Sequence, residues 1–301
     1  MKFRPLTLRS VVQGACLLGS LAGSEWVASA QEPICSSPNV IFCEGFESPN
    51  WQDRWQEVSH RDRKTRDTTA GNVFSGQGSL RATFPPNDDE GAGWMHYWWD
   101  PQVGQGTVYM RWYIKYQTGF TWGTWDVKMA GLGGRRPGVR YGPGAGIVPD
   151  GTWFDLRPLA LGVTHDQASP REPLLYYSHM NQTRWGDFYY QHLNPPDAVF
   201  QTNRWYCMEI MVAPNHPDQA NGEMKMWVDG VLKAHGTGIR WRSYADAEVA
   251  DLGWSAWTGE PNNTANQYRW EDNIVVSRAP IGCSATGVPP PGAPTNLRII
   301  R

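Results

Sequence analysis

The sequence predicts an all-β chain folded as a two-sheet antiparallel jelly-roll β-sandwich. Three observations carry that prediction. Apolar and polar residues alternate at period two through one run after another, as half-buried strands require. Asn221-Gly222 and Asp229-Gly230 are hairpin signals that bracket a strand at Glu223 to Val228. Finally, 32 Gly, 23 Pro and 17 Trp favour strands and turns, and long helical runs rich in alanine or leucine are missing. Aromatic residues dominate β cores, so most of the Trp are assigned to packing and the remainder to sugar-stacking platforms.

The two ends differ from the middle. Lys2, Arg4 and Arg9, the apolar run Val11 to Leu21 and the small residues Ala28-Ser29-Ala30 read as a secretory signal spanning residues 1–30. The run is too short for a membrane anchor, and Cys16 leaves with it. Removal takes three cations and Glu25 away, moving the formal charge from -2 to about -4; no basic field argues for nucleic acid. The expected product is secreted, with no membrane partner after signal removal. Cys35, Cys43, Cys207 and Cys283 remain, an even number that suggests two disulfides with three connectivities open, two of which would tie the domain ends together. The β domain is placed at residues 31–284. Gly287-Val288-Pro289-Pro290-Pro291-Gly292 is a stiff linker opening the tail 285–301, whose Ala293 to Ile300 resembles the first strand of a fibronectin type III domain.

Taken in order, Val40 to Glu47 is the first strand, Phe74 to Arg81 a glycine turn leading into a strand, and Trp270 to Ser277 the last strand. First and last strands often lie side by side in closed sandwiches. Glu44, Glu47 and Asp272, with carbonyls near Ser75 to Gly78, would then supply hard oxygen ligands for a structural Ca2+; the spacing itself is no motif. Val108 to Tyr116 sets Tyr109, Arg111, Tyr113 and Lys115 against Met110, Trp112, Ile114 and Tyr116. Trp125 to Gly134 reads as a short strand running into a glycine turn, with Asp126 and Lys128 on its polar face. Asp155 and Arg157 share a face of the next strand, and Leu174 to Met180 puts Tyr176 and Ser178 opposite Tyr177 and His179. Trp205 to Val212 opens a three-stranded meander. Gly131 to Gly151 is too long for a simple connection and suits the border of a binding site.

Several segments together resemble the family-14 polysaccharide lyases. Lys128-Met129-Ala130-Gly131-Leu132 is similar to that family's lysine-leucine-proline-glycine-leucine signature, Val108 to Tyr113 to the strand before it, Asn221 to Gly230 to its late hairpin, and Trp270 to Ser277 to its ending. The resemblance covers about Phe42 to Cys283. It implies a concanavalin A-like jelly roll that cleaves a uronate-containing glycan, such as alginate or glucuronan, by β-elimination. Matched position by position, it implies Lys128, Arg157, Tyr176 and His179 as catalytic residues. Arg111, Tyr109, Asp155, Ser178 and His96 are the substrate-binding candidates. No cofactor is expected for the chemistry; the calcium would pin the domain ends. The expected partner is an acidic polysaccharide and the expected state a monomer.

Elimination explains these residue types. A cation must stabilise charge building on the uronate carboxylate, a base must take the neighbouring proton, and an acid must protonate the leaving oxygen. Two positions depart from the family. Asp155 stands where a serine is expected and Ser178 where a second tyrosine is. Asp155 would repel a uronate unless neutralised, lock Arg157 in place, or mark a less acidic substrate. Losing the tyrosine removes an acid or base, for which Tyr177, His179 or His96 would substitute. These departures and the many Trp sustain an alternative, a non-catalytic carbohydrate-binding jelly roll. A glycoside hydrolase needs two carboxylates flanking the bond, and no Glu-x-Asp-x-Glu run is present; a serine hydrolase elbow and a zinc-spaced His/Cys cluster are also missing.

Overall fold

The computed structural model describes residues 32–139, 147–162, 171–182, 186–189 and 200–283. The signal expected at 1–30 and the tail at 285–301 lie outside the described residues. In chain order the strands are β1 (Val40–Glu44), β2 (Glu57–Val58), β3 (Lys64–Asp67), β4 (Ser79–Phe84), β5 (Trp94–Trp98), β6 (Val108–Tyr116), β7 (Asp126–Lys128), β8 (Gly131–Arg135), β9 (Trp153–Leu161), β10 (Pro173–Ser178), β11 (Asp187–Tyr189), β12 (Trp205–Ala213), β13 (Gly222–Val228), β14 (Val231–Ile239), β15 (Glu248–Ser255) and β16 (Gln267–Ser277).

They form two antiparallel sheets. The first runs β14-β13-β12-β6-β16-β4-β3, with β1 also paired to β16; the second runs β11-β10-β9-β8-β15-β5-β2, with β7 also paired to β9. The chain is therefore an all-β, two-sheet jelly-roll sandwich, as the alternating patterns predict. First and last strands do pair, with Cys43 opposite Val275. The meander β12-β13-β14 is present, and Asp229 and Gly230 both take positive φ at its second turn, the left-handed geometry that an Asp-Gly hairpin supplies. Met110, Trp112 and Ile114 of the first sheet meet Leu132, Leu156, Leu252 and Trp254 of the second in one buried core.

One local expectation is corrected. Gly131 to Gly134 belongs to β8, a strand between β9 and β15, and not to a glycine turn. Close packing overrides the low strand propensity of glycine: a Cβ on Gly134 would fall inside the Phe154 ring, and one on Gly131 would lie 2.6 Å from the Arg157 Cβ. The long glycine-proline loop therefore begins only after Arg135, and its residues 140–146 lie outside the described ones.

The cysteines pair as Cys35–Cys43 and Cys207–Cys283. The bridge from Cys283 thus reaches β12 of the same sheet and does not join the two domain ends. Cystines of this kind persist in oxidising compartments. Among the described residues no helix is long and apolar enough to cross a membrane. The two bridges close loops of very different size, with separations of 8 and 76 residues. The chain-entropy relation gives about 2.5 kcal/mol for the short loop and about 4.5 kcal/mol for the long one. Denaturant unfolding of the paired Cys→Ser variants should show that order; a larger loss at Cys35–Cys43 would contradict it.

Candidate active site

The site is built on the outer face of the second sheet. Phe154 and Leu156 of β9 enter the core, so alternation turns Asp155 and Arg157 outward. On β10, Tyr176 lies opposite Arg157 and Ser178 opposite Asp155. On the other side Gly133 faces Asp155, and Asp251 of β15 faces Gly133. Gly253 of β15 lies between Gly131 and His96 of β5. Two cross-sheet rows result. One reads Ser178, Asp155, Gly133, Asp251, Trp98. The other reads Tyr176, Arg157, Gly131, Gly253, His96. Each has glycine in the middle, and the Arg157 and Asp251 side chains close over Gly131 and Gly133.

Lys128 enters from β7. It pairs with Leu159, two residues beyond Arg157, and so faces the same side. Its ammonium lies 4.7 Å from the Trp257 ring and 5.9 Å from the Tyr176 ring. Lys128, Arg157 and Tyr176 are thus brought together on one face of the sheet. Asp155 holds Arg157 through two bonds: Nε donates to Oδ2 at 2.6 Å and Nη2 to Oδ1 at 2.7 Å. The substitution read from the sequence as a lock on Arg157 has that geometry.

Burial sets the electrostatics. It lowers the Lys128 pKa, Arg157 lowers it further, and Asp126 and Asp155 oppose the shift. Burial raises the Tyr176 pKa, Asp155 adds to the rise, and Ser178 and Arg157 counter it. Asp126, beside Lys128, is pushed up to about 6 by burial, against Lys128 and the Gly259 N–H; its Oδ1 has no hydrogen-bond partner. A carboxyl that binds its proton more tightly when folded makes stability fall with pH. The penalty is absent below the unfolded value of 3.8 and complete above about 6. It amounts to about 2–3 kcal/mol. Asp126→Asn should remove that fall, and unfolding free energies at pH 4 and pH 7 test it: parallel pH slopes in variant and parent would exclude the effect.

His96 and Asp251 complete this face. His96 Nδ1 lies 3.1 Å from Asp251 Oδ1, and the imidazole stacks on Trp98 with centroids 5.5 Å apart. The Arg135 guanidinium covers the other ring, 5.4 Å from its centroid. Asp251, Trp98, Trp257 and Gly253 were not singled out from sequence. The signal for β15 was present, since Asp251, Gly253 and Ser255 alternate with Leu252 and Trp254.

Other expected residues lie elsewhere. His179 follows β10 on the opposite parity. It stacks on Tyr177 at 4.6 Å and its Nε2 meets Asp187 Oδ2 at 2.9 Å, while Tyr177 packs towards core Trp241. Arg111 and Tyr109 do not join this face, because β6 belongs to the first sheet and both face away from the core. Arg111 pairs with Glu32 and donates to the Asn273 carbonyl at 3.0 Å, and Tyr109 sits beside Trp227. Glu44, Glu47 and Asp272 share one corner, where Glu47 raises the pKa of both neighbours after the larger effect of burial. Their oxygens, however, accept N–H bonds: Glu44 from Phe46, Glu47 from Gln77, Asp272 from Phe74, Ser75 and Asn273. Among the described residues no three His, Cys, Asp or Glu side chains converge to hold a metal ion.

No protein-family model matches the sequence, and no curated protein matches it. Solved structures do match in fold. An alginate lyase from Chlorella virus superposes with a TM-score of 0.61 at 17% identity, covering 79% of this chain and 99% of that one. The marine PL-14 alginate lyase from Aplysia kurodai gives 0.61 at 14%, covering 79% and 98%. The endo-β-1,4-glucuronan lyase from Trichoderma reesei gives 0.53 at 13%, covering 79% and 95%. At these identities the likeness is one of fold, and the fold is the polysaccharide lyase-like jelly roll.

Proposed function

We propose that this chain is a secreted polysaccharide lyase that cleaves a uronate-containing glycan by β-elimination. The observation that carries the reading is the convergence of Lys128, Arg157 and Tyr176 on one face of the second sheet, in a jelly roll of the same fold as alginate and glucuronan lyases. Arg157, held by Asp155, presents positive charge to the uronate carboxylate as electrons build on it. Lys128 releases its proton more readily than a solvated lysine, which suits protonation of the leaving oxygen. Tyr176 stays protonated and acts as a hydrogen-bond donor along the same wall. The test incubates the protein with alginate, glucuronan and related uronates and follows absorbance of the unsaturated product. A folded protein that yields no product on any of them would sink the reading.

The bidentate Asp155–Arg157 pair favours one competing reading, a carbohydrate-binding protein without catalysis, because it takes one edge of the guanidinium from the substrate. Glycan binding that survives Lys128→Ala, with no product from either protein, would select it. A structural Ca2+ at Glu44, Glu47 and Asp272 is a separate proposal, motivated by the charge of Glu47 acting on both Glu44 and Asp272. It requires oxygen donors where Phe74, Ser75 and Gln77 now offer N–H groups. A melting temperature unchanged by chelator would reject it.

A further inference from the structure

We infer that His96, oriented by Asp251, is the proton-abstracting base of this site. The inference rests on the lyase reading and fills the one role that Lys128, Arg157 and Tyr176 leave open where Ser178 replaces a tyrosine.

The geometry is specific. Above Gly253, a point one Cβ bond from the backbone lies 3.2 Å from His96 Cε1 and 3.4 Å from Arg157 Nη2. His96 and Arg157 therefore approach each other over Gly253, where a side chain would be crowded by both. Lys128, on β7 between β9 and the segment that follows β15, adds a second positive charge beside Arg157. A uronate carboxylate drawn to Arg157 would bring its ring to the face that carries both the imidazole and the ammonium. Elimination needs a base and an acid within reach of the same ring.

Asp251 makes His96 suitable as a base. With Nδ1–H donating to Asp251 Oδ1, the lone pair is placed on Nε2. The carboxylate is 2% exposed, and its Oδ2 leans over Gly133 with no hydrogen-bond partner, so it is not there to satisfy a surface network. A pair serving packing alone would sit in the core, whereas this pair lies on the outer face beside Gly253. The charged groups facing His96 are Asp251 on β15, Glu57 opposite it on β2, Arg157 on β9, and Arg135 stacked over Trp98.

The step balances without a co-reactant. His96 Nε2 takes the proton from the ring carbon bearing the carboxylate. That electron pair forms the carbon–carbon double bond, the glycosidic carbon–oxygen bond breaks, and the leaving oxygen takes a proton from Lys128. Solvent returns the proton from His96 to Lys128.

The experiment compares the parent with His96→Ala, His96→Gln and Asp251→Asn on the uronate glycan that the parent cleaves. Readouts are product formation, its pH profile, glycan affinity and melting temperature. We expect His96→Ala to lose about 100-fold or more in kcat, with affinity within about threefold and with recovery on adding imidazole. Should imidazole fail to enter, His96→Gln decides: loss of one limb of the pH profile supports the base, and an unchanged profile at lower rate overturns it. Asp251→Asn should lower kcat and displace the same limb without changing affinity. Full activity in His96→Ala, or loss accompanied by lost affinity or a lower melting temperature, overturns the inference while leaving the lyase reading intact. A parent inactive on every uronate overturns both.

Discussion

Lys128→Ala should lower product formation by about 10²–10³-fold while glycan affinity changes little. The side chain lies under Trp257 and beside Tyr176, and burial together with Arg157 makes its ammonium give up a proton readily. Removing it takes away proton transfer to the leaving oxygen but leaves Arg157 and its Asp155 brace in place. Lys128→Arg separates charge from proton transfer. A guanidinium keeps the positive charge but does not release its proton near neutral pH. The Arg variant should therefore stay as inactive as the Ala variant. If Arg restores most of the rate, Lys128 acts only through its charge and the acid must be sought at Tyr176. If both variants lose glycan affinity in proportion to rate, Lys128 is a binding residue and the chemistry lies elsewhere.

Much of the architecture was written in local pattern. Alternation placed Met110, Trp112 and Ile114 inside and gave Asp155, Arg157, Tyr176 and Ser178 their common outward direction. It also set His179 on the opposite face from Tyr176, although the resemblance drew the two together. What alternation cannot convey is which sheet a strand joins. Arg111 alternates as a site residue would, yet β6 pairs with β12 and β16 in the first sheet, so Arg111 ends on the far side of the sandwich. The role of the glycines was hidden for a related reason. Gly131 and Gly133 look like turn residues along the chain, and only cross-strand pairing shows Gly131, Gly133 and Gly253 opposite Arg157, Asp155 and His96. Asp251 and His96 are 155 residues apart, and no spacing rule links them.

Beneath this site, Glu271→Ala or Arg269→Ala alone should cost about 3–5 kcal/mol, because each leaves an unpaired charge in the core. Both side chains are fully buried. Arg269 Nη2 and Glu271 Oε1 are 2.7 Å apart, and Trp254 Nε1 donates to Glu271 Oε2 at 2.7 Å. Burial raises the Glu271 pKa, with Arg269 and Trp254 opposing. Replacing both by apolar residues of similar size should recover much of the loss, since a buried ion pair repays its desolvation poorly. Activity should not recover with it. Arg269 belongs to the first sheet but donates through Nη1 to the Lys128 carbonyl at 2.7 Å and through Nη2 to the Ser255 carbonyl at 2.8 Å. It thereby fixes the backbone that carries Lys128 against the strand that carries Asp251 and Gly253. An Arg269→Met, Glu271→Leu double variant should unfold at a denaturant midpoint close to the parent's yet turn over more slowly, with glycan affinity retained. Single variants as stable as the parent would mean that the pair is not charged in the core. A double variant with full activity would mean that β7 holds its position without the cross-sheet bonds.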